Sequence, residues 1–258
     1  MENTNLDIKI DNEAFLTALQ IAKDGVSSSG GIGTLSEKLL HKTLKLYFAP
    51  DENNHEIEYL GSVADVKSPD GIIEIQTRCF DKLLPKLKKF LPELPVTVVH
   101  PIIKEKSIAW LNKETGECEN PRKSTRRGLP SDALFELSKI RDVLFNKNLT
   151  VILVFINATE YRMLDGWDTE HKRGATRLER IPTELVDIVR LKSSSDYVKL
   201  LPQGLSEEFY AKDFYRAARL RGRRASFSLK LLLDIGVVTR QKGEGRAYLY
   251  KRVLNLSE

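Results

Sequence analysis

The sequence is poor in cysteine and has no long apolar run. Its 258 residues include two cysteines, Cys79 and Cys118, and neither has a partner at the spacing of a metal-binding motif. This excludes a structural zinc site and a disulfide framework as the basis of the fold. The longest unbroken apolar stretch, Val151 to Ile156, is far shorter than the roughly 18 residues of a membrane-spanning helix. We therefore expect a protein without membrane segments.

The first ten residues lack the basic region and apolar stretch of a secretion signal. We therefore expect the chain to stay in the reducing cytoplasm. Hydrophobic residues make up 41% of the chain and charged residues 30%, which is typical of soluble globular proteins and argues against disorder. The length of the chain suits one large domain or two modest ones.

The basic residues are unevenly distributed along the chain. Over the whole sequence, 41 Lys and Arg face 36 Asp and Glu, a net charge of +5. Residues 203–258 contain 12 basic and 6 acidic side chains, so this segment carries +6 and the residues before it carry −1. A basic terminal segment is expected of an appended nucleic-acid-binding module.

The first 200 residues alternate between helix and strand patterns. Apolar periodicity and turn residues predict a helix over 12–23, a linker over 25–33, a helix over 34–48, strands over 55–60, 62–67 and 72–78, a helix over 83–91 and a strand over 96–99. These are followed by a hairpin around 107–111, a basic loop over 121–128, a helix over 131–145, a strand over 150–156, and a helix and a strand within 181–201. This alternation predicts a mixed α/β sheet with covered faces.

A turn at Pro69-Asp70 brings two carboxylates together. A connection of two or four residues pairs positions whose numbers sum to 139, so Asp65 lies opposite Glu74. Facing residues on two strands have Cβ atoms about 4.5–5.5 Å apart, and like charges there destabilise the sheet unless a cation such as a divalent metal ion compensates. A three-residue connection would place the pair on a diagonal, still within reach of one ion. The alternative is an ordinary half-exposed hairpin with one polar face.

The predicted helix over 34–48 supplies a third acid. On a helical wheel Glu37 falls between Leu44 and Phe48, at the edge of the apolar arc, so it leans toward the protein body. The alternative role is structural, because Thr34-Leu35-Ser36-Glu37 also fits a capping box, in which the glutamate bonds the backbone at the helix start. The sequence leaves both roles open.

The order of these elements resembles the core of the PD-(D/E)XK restriction-endonuclease-like superfamily: a helix with Glu37, a strand with Asp65, a strand with Glu74-Ile75-Gln76, a helix and a strand. It also resembles a family of uncharacterised bacterial proteins that join this core to a C-terminal winged helix. The resemblance implies that Asp65, Glu74 and the backbone carbonyl of Ile75 bind Mg²⁺ or Mn²⁺. It further implies that Glu37 binds a second ion or orients a metal-bound water, which attacks a phosphodiester polarised by the metal.

Gln76 stands where the superfamily usually has a lysine, and it departs from the pattern although some active relatives also have glutamine there. Glutamine carries no positive charge, but its amide is able to position a water. Four nearby cations are candidates to restore the missing charge: Lys67, Arg78, Lys82 and Lys86. The alternative for each of them is a solvated surface role.

The last 56 residues resemble a winged helix-turn-helix. Helices are predicted over 211–220 and 223–235 and strands over 237–240 and 246–253, with the usual first helix reduced to 206–210 or supplied by the preceding domain. Recognition helices contact bases mainly with their N-terminal residues. The predicted DNA contacts are Arg221, Arg223, Arg224, Ser226, Ser228, Arg240, Lys242 and Arg246. The alternative is a winged helix that serves only in dimerisation or protein docking.

Taken together, these features predict an N-terminal helix and linker over 1–29, a nuclease-like domain over 30–202 and a winged-helix DNA-binding domain over 203–258. The expected fold class is α/β, a restriction-endonuclease-like mixed sheet flanked by helices plus a C-terminal winged helix-turn-helix. The expected activity is metal-dependent hydrolysis of DNA, with Mg²⁺ or Mn²⁺ as cofactor, DNA as partner and a homodimer left open. Two other functions are considered: a non-catalytic DNA-binding regulator with a degenerate nuclease fold, and a protein-docking scaffold.

Overall fold

The computed structural model describes residues 10–27, 35–112, 115–164, 175–243, 245 and 247–253. The α-helices are α1 (Asn12–Ser27), α2 (Leu35–Phe48), α3 (Phe80–Phe90), α4 (Leu134–Leu137), α5 (Ala211–Ala217) and α6 (Gly222–Asp234). The strands are β1 (His55–Tyr59), β2 (Ser62–Ser68), β3 (Gly71–Ile75), β4 (Val96–Asn112), β5 (Arg122–Lys123), β6 (Leu149–Leu164), β7 (Ala175–Leu191), β8 (Glu208–Tyr210), β9 (Val238–Lys242) and β10 (Tyr248–Arg252). Short 3₁₀ helices cover Glu52–Asn54, Pro130–Ala133, Ser138–Val143 and Ser194–Leu200. Among the helices of these residues, none has the length and apolar character needed to cross a membrane.

Seven strands form one large mixed sheet. Its strand order is β1-β2-β3-β4-β6-β7, and β5 pairs with β4. Strands β2 and β3 are antiparallel, whereas β3 and β4 run parallel. The protein is therefore a mixed α/β protein with a large mixed sheet flanked by helices, as the alternating sequence pattern predicts.

The chain divides into two compact units, and strands β4, β6 and β7 contribute residues to both. The first unit comprises residues 1–55, 103–128 and 154–188, and the second comprises residues 56–102, 129–153 and 189–258. The three sequence domains proposed above, with boundaries near residues 29 and 202, stay predictions.

Helices α1 and α2 supply the core of the first unit. Ala18 and Ala22 lie one turn apart on the buried face of α1, and their small side chains let the two helices approach closely. The buried cluster consists of Ala18, Leu19, Ala22, Leu39 and Leu46, with Tyr47 and Ile181 packed against it.

The β2–β3 hairpin and helix α3 position the polar residues of the second unit. The hairpin pairs Val66 with Ile73 and Ser68 with Gly71, so the predicted register, in which paired numbers sum to 139, is confirmed. Gly71 has a φ of +137°, and a Cβ there would lie 2.4 Å from the carbonyl oxygen of Pro95. Only glycine fits this position, which seats the start of β3 against the chain that leads into β4.

Helix α3 is amphipathic and packs its apolar face into the second unit. Its buried side chains recur every three or four residues, which places them on one stripe of the helix. They are Phe80, Leu83, Leu87 and Phe90. The predicted helix is thereby confirmed, and it begins three residues earlier than the periodicity indicated.

The hairpin predicted around 107–111 is confirmed, because Ser107 and Ile108 of β4 pair antiparallel with Lys123 and Arg122 of β5 and Leu111 forms an antiparallel bridge with Cys118. Two other local predictions are wrong. The helix predicted over 131–145 is a 3₁₀–α–3₁₀ series broken at Ile140, which has φ −113° and ψ 18°. Within 181–201 the strand comes first and the helical turn second, because β-branched residues favour the extended backbone of β7.

The C-terminal segment contains α5, α6 and a three-stranded sheet of order β8-β10-β9. Both helices predicted in this segment are present. Residues 206–210, expected to hold a reduced first helix, instead supply strand β8, which pairs with β10. The predicted strand residue Arg246 lies outside the described residues.

Candidate functional site

Asp65 on β2 and Glu74 on β3 lie next to each other in the second unit. The paired register of the hairpin ends at Val66 and Ile73, and the two acids are the next residues beyond that pair. The backbone N–H of Ile75 donates a hydrogen bond to Asp65 Oδ2 at 2.8 Å, which holds the Asp65 carboxylate beside β3. The structure thus brings together the two acids that the sequence singled out.

Glu74 is a buried acid with one unused oxygen. Its residue is 1% exposed, and this burial, followed by the nearby charge of Asp65, raises its pKa to about 7. Lys86 opposes the shift, because its Nζ donates to Glu74 Oε2 at 2.6 Å. Glu74 Oε1 is buried and has no hydrogen-bond partner among the described residues, so it is available as a ligand for a cation.

Lys86 supplies a positive charge to the acid pair from helix α3. It follows Leu83 by three residues and therefore lies at the edge of the buried face, with its side chain 24% exposed. Of the four cations considered from the sequence, Lys86 makes the ion pair with Glu74 within the described residues. Lys67 instead lies over the ring of Tyr59, 4.9 Å from its centroid.

The sequence predicts that Gln76 lies in strand β3. This prediction is wrong, because the strand ends at Ile75. Its N–H donates to the carbonyl oxygen of Val99 at 2.9 Å, and its side-chain amide nitrogen donates to the carbonyl oxygen of Arg78. The amide nitrogen is thereby occupied within the loop that leads to α3. If the Gln76 side chain positions a water, it does so through its amide oxygen.

His100, which the sequence did not point to, lies behind this loop. The ring is buried, and its Nδ1 donates to the carbonyl oxygen of Gln76 at 2.7 Å. Burial lowers the pKa of His100, which favours the neutral ring. The closeness of His100 to Gln76 follows from the strand pairing. Ile75 and Val99 are paired in parallel strands, so the residues that follow them, Gln76 and His100, lie at the same edge of the sheet.

Glu136 is a second buried polar residue that the sequence did not point to. Its Oε2 accepts hydrogen bonds from the backbone N–H of Phe80 at 3.0 Å and from Lys139 Nζ at 2.9 Å. The carboxylate therefore satisfies the first N–H of α3, where the helix dipole favours negative charge. No sequence motif marks this contact, since the two residues are 56 positions apart.

The residues of the acid pair suit a hard divalent cation, which prefers oxygen ligands. The predicted third acid, Glu37, belongs to α2, but its side chain lies outside the described residues. Within the ranges that the structure describes, no group of three or more His, Cys, Asp or Glu residues is placed to hold a metal ion. The hairpin alone therefore offers two carboxylates, and the ligand roles of Glu37 and of the Ile75 carbonyl stay predictions.

The predicted DNA contacts at the start of α6 are exposed, with one exception. Arg221, Arg223, Arg224 and Ser226 are all exposed. Ser228 is fully buried, because it lies on the same helix face as buried Ala225, three residues before it. The prediction that Ser228 contacts DNA is therefore wrong.

Helix α6 packs along the segment that contains α4. The rings of Phe135 and Phe227 lie 6.3 Å apart, edge to face, and the Arg224 guanidinium lies 5.3 Å from the centroid of Phe135. At the other end of α6, Arg141 Nη1 lies 2.7 Å from Asp234 Oδ2. Despite these contacts, α6 keeps an exposed face, which is called its solvent-facing stripe below.

Exposed cations lie both on this stripe and on the C-terminal sheet. On α6 the stripe holds Arg223, Ser226 and Lys230. On β9, Arg240 and Lys242 are exposed, and the Arg240 guanidinium stacks 4.5 Å from the ring centroid of Tyr248.

Comparison with known proteins places most of this architecture in one family. Residues 38–192 match the model of a domain of unknown function, DUF8091. The chain is 29% identical to an uncharacterised protein of Treponema pallidum (strain Nichols) over 222 residues, which are 86% of this chain and 87% of the relative. No solved structure matches the chain significantly. The match to the family model spans more than half of the chain and includes both hairpin acids, so this protein belongs to the DUF8091 family.

Proposed function

We propose that this protein is a divalent-metal-dependent nuclease with a restriction-endonuclease-like core. The observation that carries the proposal is the acid pair, in which Glu74 is buried beside Asp65 with a raised pKa and an unpaired Oε1. Placing a buried carboxylate beside a half-buried one destabilises the metal-free protein. If the site binds a cation, the positive charge of that ion explains why the hairpin contains both Asp65 and Glu74.

In this proposal Asp65, Glu74 and the carbonyl oxygen of Ile75 hold Mg²⁺ or Mn²⁺. When bound, the ion would supply Lewis-acid chemistry to a phosphodiester and make water more acidic. Lys86 is already within 2.6 Å of Glu74, and it supplies the positive charge that Gln76 lacks. Its ammonium stabilises negative charge that develops on the phosphate.

We further propose that the C-terminal segment binds DNA as a winged helix. Two helices followed by an antiparallel pair, with β8 completing the sheet, support this assignment. The net charge of +6 over residues 203–258 favours contact with a phosphate backbone. The proposed contact surface consists of Arg221, Arg223, Arg224, Ser226, Arg240 and Lys242, and the predicted contact Arg246 lies outside the described residues.

A second candidate function is a non-catalytic DNA-binding regulator. The observation that favours it is the closed ion pair between Lys86 and Glu74, which partly compensates the buried charge without a metal. Gln76 in place of the usual lysine points the same way. In this case the DNA-binding surface is retained and the hairpin is structural.

A cleavage assay separates the two functions. Purified protein is incubated with Mg²⁺ or Mn²⁺ and with single-stranded, double-stranded and branched DNA, and with RNA. Asp65→Asn and Glu74→Gln are expected to abolish cleavage, because both remove a carboxylate ligand and keep the side-chain shape. Asp70→Asn is the matched control, because Asp70 is an exposed acid in the turn of the same hairpin.

The nuclease proposal fails if the wild-type protein cleaves none of these substrates. Retained DNA binding together with absent cleavage and absent Mn²⁺ binding, the latter measured by calorimetry, would favour the regulator. Cleavage that persists in both Asp65→Asn and Glu74→Gln would show that another site is responsible.

A further inference from the structure

A second charged cluster lies in the first unit, on strands β4, β6 and β7. At its centre is Glu160, which is fully buried. Lys106 Nζ and Arg180 Nη2 lie 3.2 Å and 2.6 Å from Glu160 Oε2. Arg162 approaches the other oxygen, Oε1, with Nη2 at 2.6 Å and Nε at 2.7 Å. Three cations therefore surround one carboxylate.

The cluster has an excess of positive charge. Burial opposes ionisation of Glu160, but hydrogen bonds from Arg180, Arg162 and Lys106 outweigh it and lower the pKa of Glu160 to about 2. Glu160 is therefore ionised at neutral pH, and these four side chains together carry +2. Burial lowers the pKa of Lys106 and its pairing with Glu160 raises it, while repulsion from the two arginines lowers it further. The cations are held together at an electrostatic cost.

Two acids on the strands of this cluster, Glu105 and Glu184, contact other groups. Glu105 pairs with Lys123 at 3.5 Å and with Arg127 at 3.1 Å. Glu184 accepts a hydrogen bond from the Asn157 side chain at 2.7 Å. In the described part of the chain, the ion pairs of Lys106, Arg162 and Arg180 are therefore with Glu160 alone.

The cations are accessible although the acid is not. The side chains of Lys106, Arg162 and Arg180 are 21%, 27% and 29% exposed, whereas that of Glu160 is 0% exposed. The cluster therefore places its negative charge at the base and its positive charges at the solvent side. Arg180 Nε is buried and has no hydrogen-bond partner among the described residues. These features leave charge and donors for a second anion.

We propose that Lys106, Arg162 and Arg180 bind a phosphate group. A phosphate monoester carries about −1.5 to −2 at neutral pH and three strong acceptor oxygens, which matches the excess charge of the cluster. Arginine suits this ligand because its planar guanidinium donates two parallel hydrogen bonds to a phosphate. The group belongs either to the end of a nucleic acid or to a small phosphorylated molecule. The proposal does not depend on the metal chemistry of Asp65 and Glu74.

Trp110 provides a direct readout of this site. The Arg162 guanidinium lies 5.6 Å from the Trp110 ring centroid, so a phosphate that draws Arg162 away changes the emission of the indole. The chain has two tryptophans, and Trp167→Phe leaves Trp110 as the sole emitter. Inorganic phosphate is titrated at constant ionic strength, with sodium chloride as the balancing salt.

We expect a saturable change in Trp110 emission and a rise in melting temperature with phosphate. Arg180→Gln should weaken binding roughly tenfold or more, because it removes a charge-assisted hydrogen bond. Lys123→Gln is the matched control, since Lys123 is an exposed cation of the same unit that pairs with Glu105, and its phosphate affinity should equal that of the parent. If Arg180→Gln does not fold, the parent protein still gives the emission and melting data.

Competition with oligonucleotides identifies the source of the phosphate. A 5′-phosphorylated oligonucleotide that competes better than its unphosphorylated form indicates a nucleic-acid end, and competition by neither indicates a small phosphorylated molecule. The proposal is overturned if inorganic phosphate gives no saturable response. It is also overturned if Arg180→Gln and the parent respond equally, because the cluster is then a structural ion-pair network only.

Discussion

At the scale of the residue, the raised pKa of Glu74 makes a contribution to stability that depends on pH. An unfolded glutamate loses its proton near pH 4.5, whereas folded Glu74 retains it until about pH 7. Between these values the folded state binds more protons than the unfolded state, so the free energy of unfolding falls as pH rises. A shift of this size corresponds to about 3 kcal/mol.

Glu74→Gln should remove this dependence, because glutamine keeps the shape and has no proton to lose. We expect the unfolding free energy of the wild type to fall between pH 5 and pH 8 by up to about 3 kcal/mol more than that of Glu74→Gln. Urea denaturation with a chelator present measures both.

Addition of Mg²⁺ at pH 8 provides the complementary test. An ion that binds the folded state alone stabilises it by an amount that grows with the logarithm of the ion concentration above the dissociation constant, so the wild type should gain stability and Glu74→Gln should not. Identical pH profiles for the two proteins would contradict the assignment of the raised pKa to Glu74.

Lys86 is the residue through which the acid pair is connected to helix α3. Lys86→Gln should lower the rate of DNA cleavage by roughly 10²–10³-fold, the usual effect of removing one donor that stabilises transition-state charge. It should also move the activity profile to higher pH, because the ammonium of Lys86 holds down the pKa of Glu74.

Lys82→Gln is the control for this substitution, since Lys82 is an exposed lysine one turn earlier on the same helix. Both variants change the protein charge by the same amount. Equal cleavage rates for Lys86→Gln and the wild type would show that another group supplies the positive charge.

At the scale of the element, the β2–β3 hairpin fixes the site through Gly71. Gly71 has a φ of +137°, and Gly71→Ala places a Cβ 2.4 Å from the backbone oxygen of Pro95. Because both atoms are attached to the backbone, a side-chain rotation does not relieve the clash. We expect Gly71→Ala to lower the unfolding free energy by about 2 kcal/mol or more, by combining backbone strain with a steric clash.

Gly61→Ala is the matched comparison, because Gly61 also has a positive φ, +66°, but a Cβ there meets no atom within 4 Å. Its cost should be about 1 kcal/mol, the strain of a left-handed residue alone. Chemical denaturation of both variants measures the difference, and equal costs would mean that the contact with Pro95 does not constrain the hairpin.

The hairpin also shows which elements the sequence is able to predict. Its register follows from a short turn and a two-residue period, which are local properties, so the pairing of Val66 with Ile73 and the closeness of Asp65 to Glu74 could be inferred without a structure. The segment around Ile140 could not, because its apolar spacing suits a helix while Ser138 Oγ bonds the carbonyl oxygen of Phe135 at 2.7 Å and competes with helical bonding. Contacts between distant segments, such as Glu136 with Phe80, have no local signal at all.

At the scale of the whole molecule, the C-terminal segment is part of the second unit. Phe227 contacts Phe135, and Asp234 pairs with Arg141. Removing residues 203–258 would expose the partners of these side chains and change more than the DNA-binding surface. Substitutions in the full chain therefore test DNA binding more cleanly than truncation.

The charge distribution predicts how DNA affinity responds to salt. Arg223 and Arg240 are exposed cations on α6 and β9, and each is proposed to bind a phosphate of the DNA backbone. Replacing both with glutamine should weaken duplex DNA binding and reduce the slope of log affinity against log salt. The expected reduction is about 0.9 for each phosphate that the variant no longer neutralises, hence up to about 1.8 for the pair.

Fluorescence anisotropy over a salt series measures this slope without any need for cleavage, so the chelator stays present throughout. Lys147→Gln paired with Lys199→Gln is the control, since it removes the same charge from exposed positions outside residues 203–258. If the affinity depends only on overall charge, the two double variants will bind DNA equally. A DNA-binding surface on α6 and β9 instead requires that the arginine variant show weaker affinity and a smaller salt slope while the lysine variant keeps both, because only cations that neutralise DNA phosphates release the counterions condensed on the DNA.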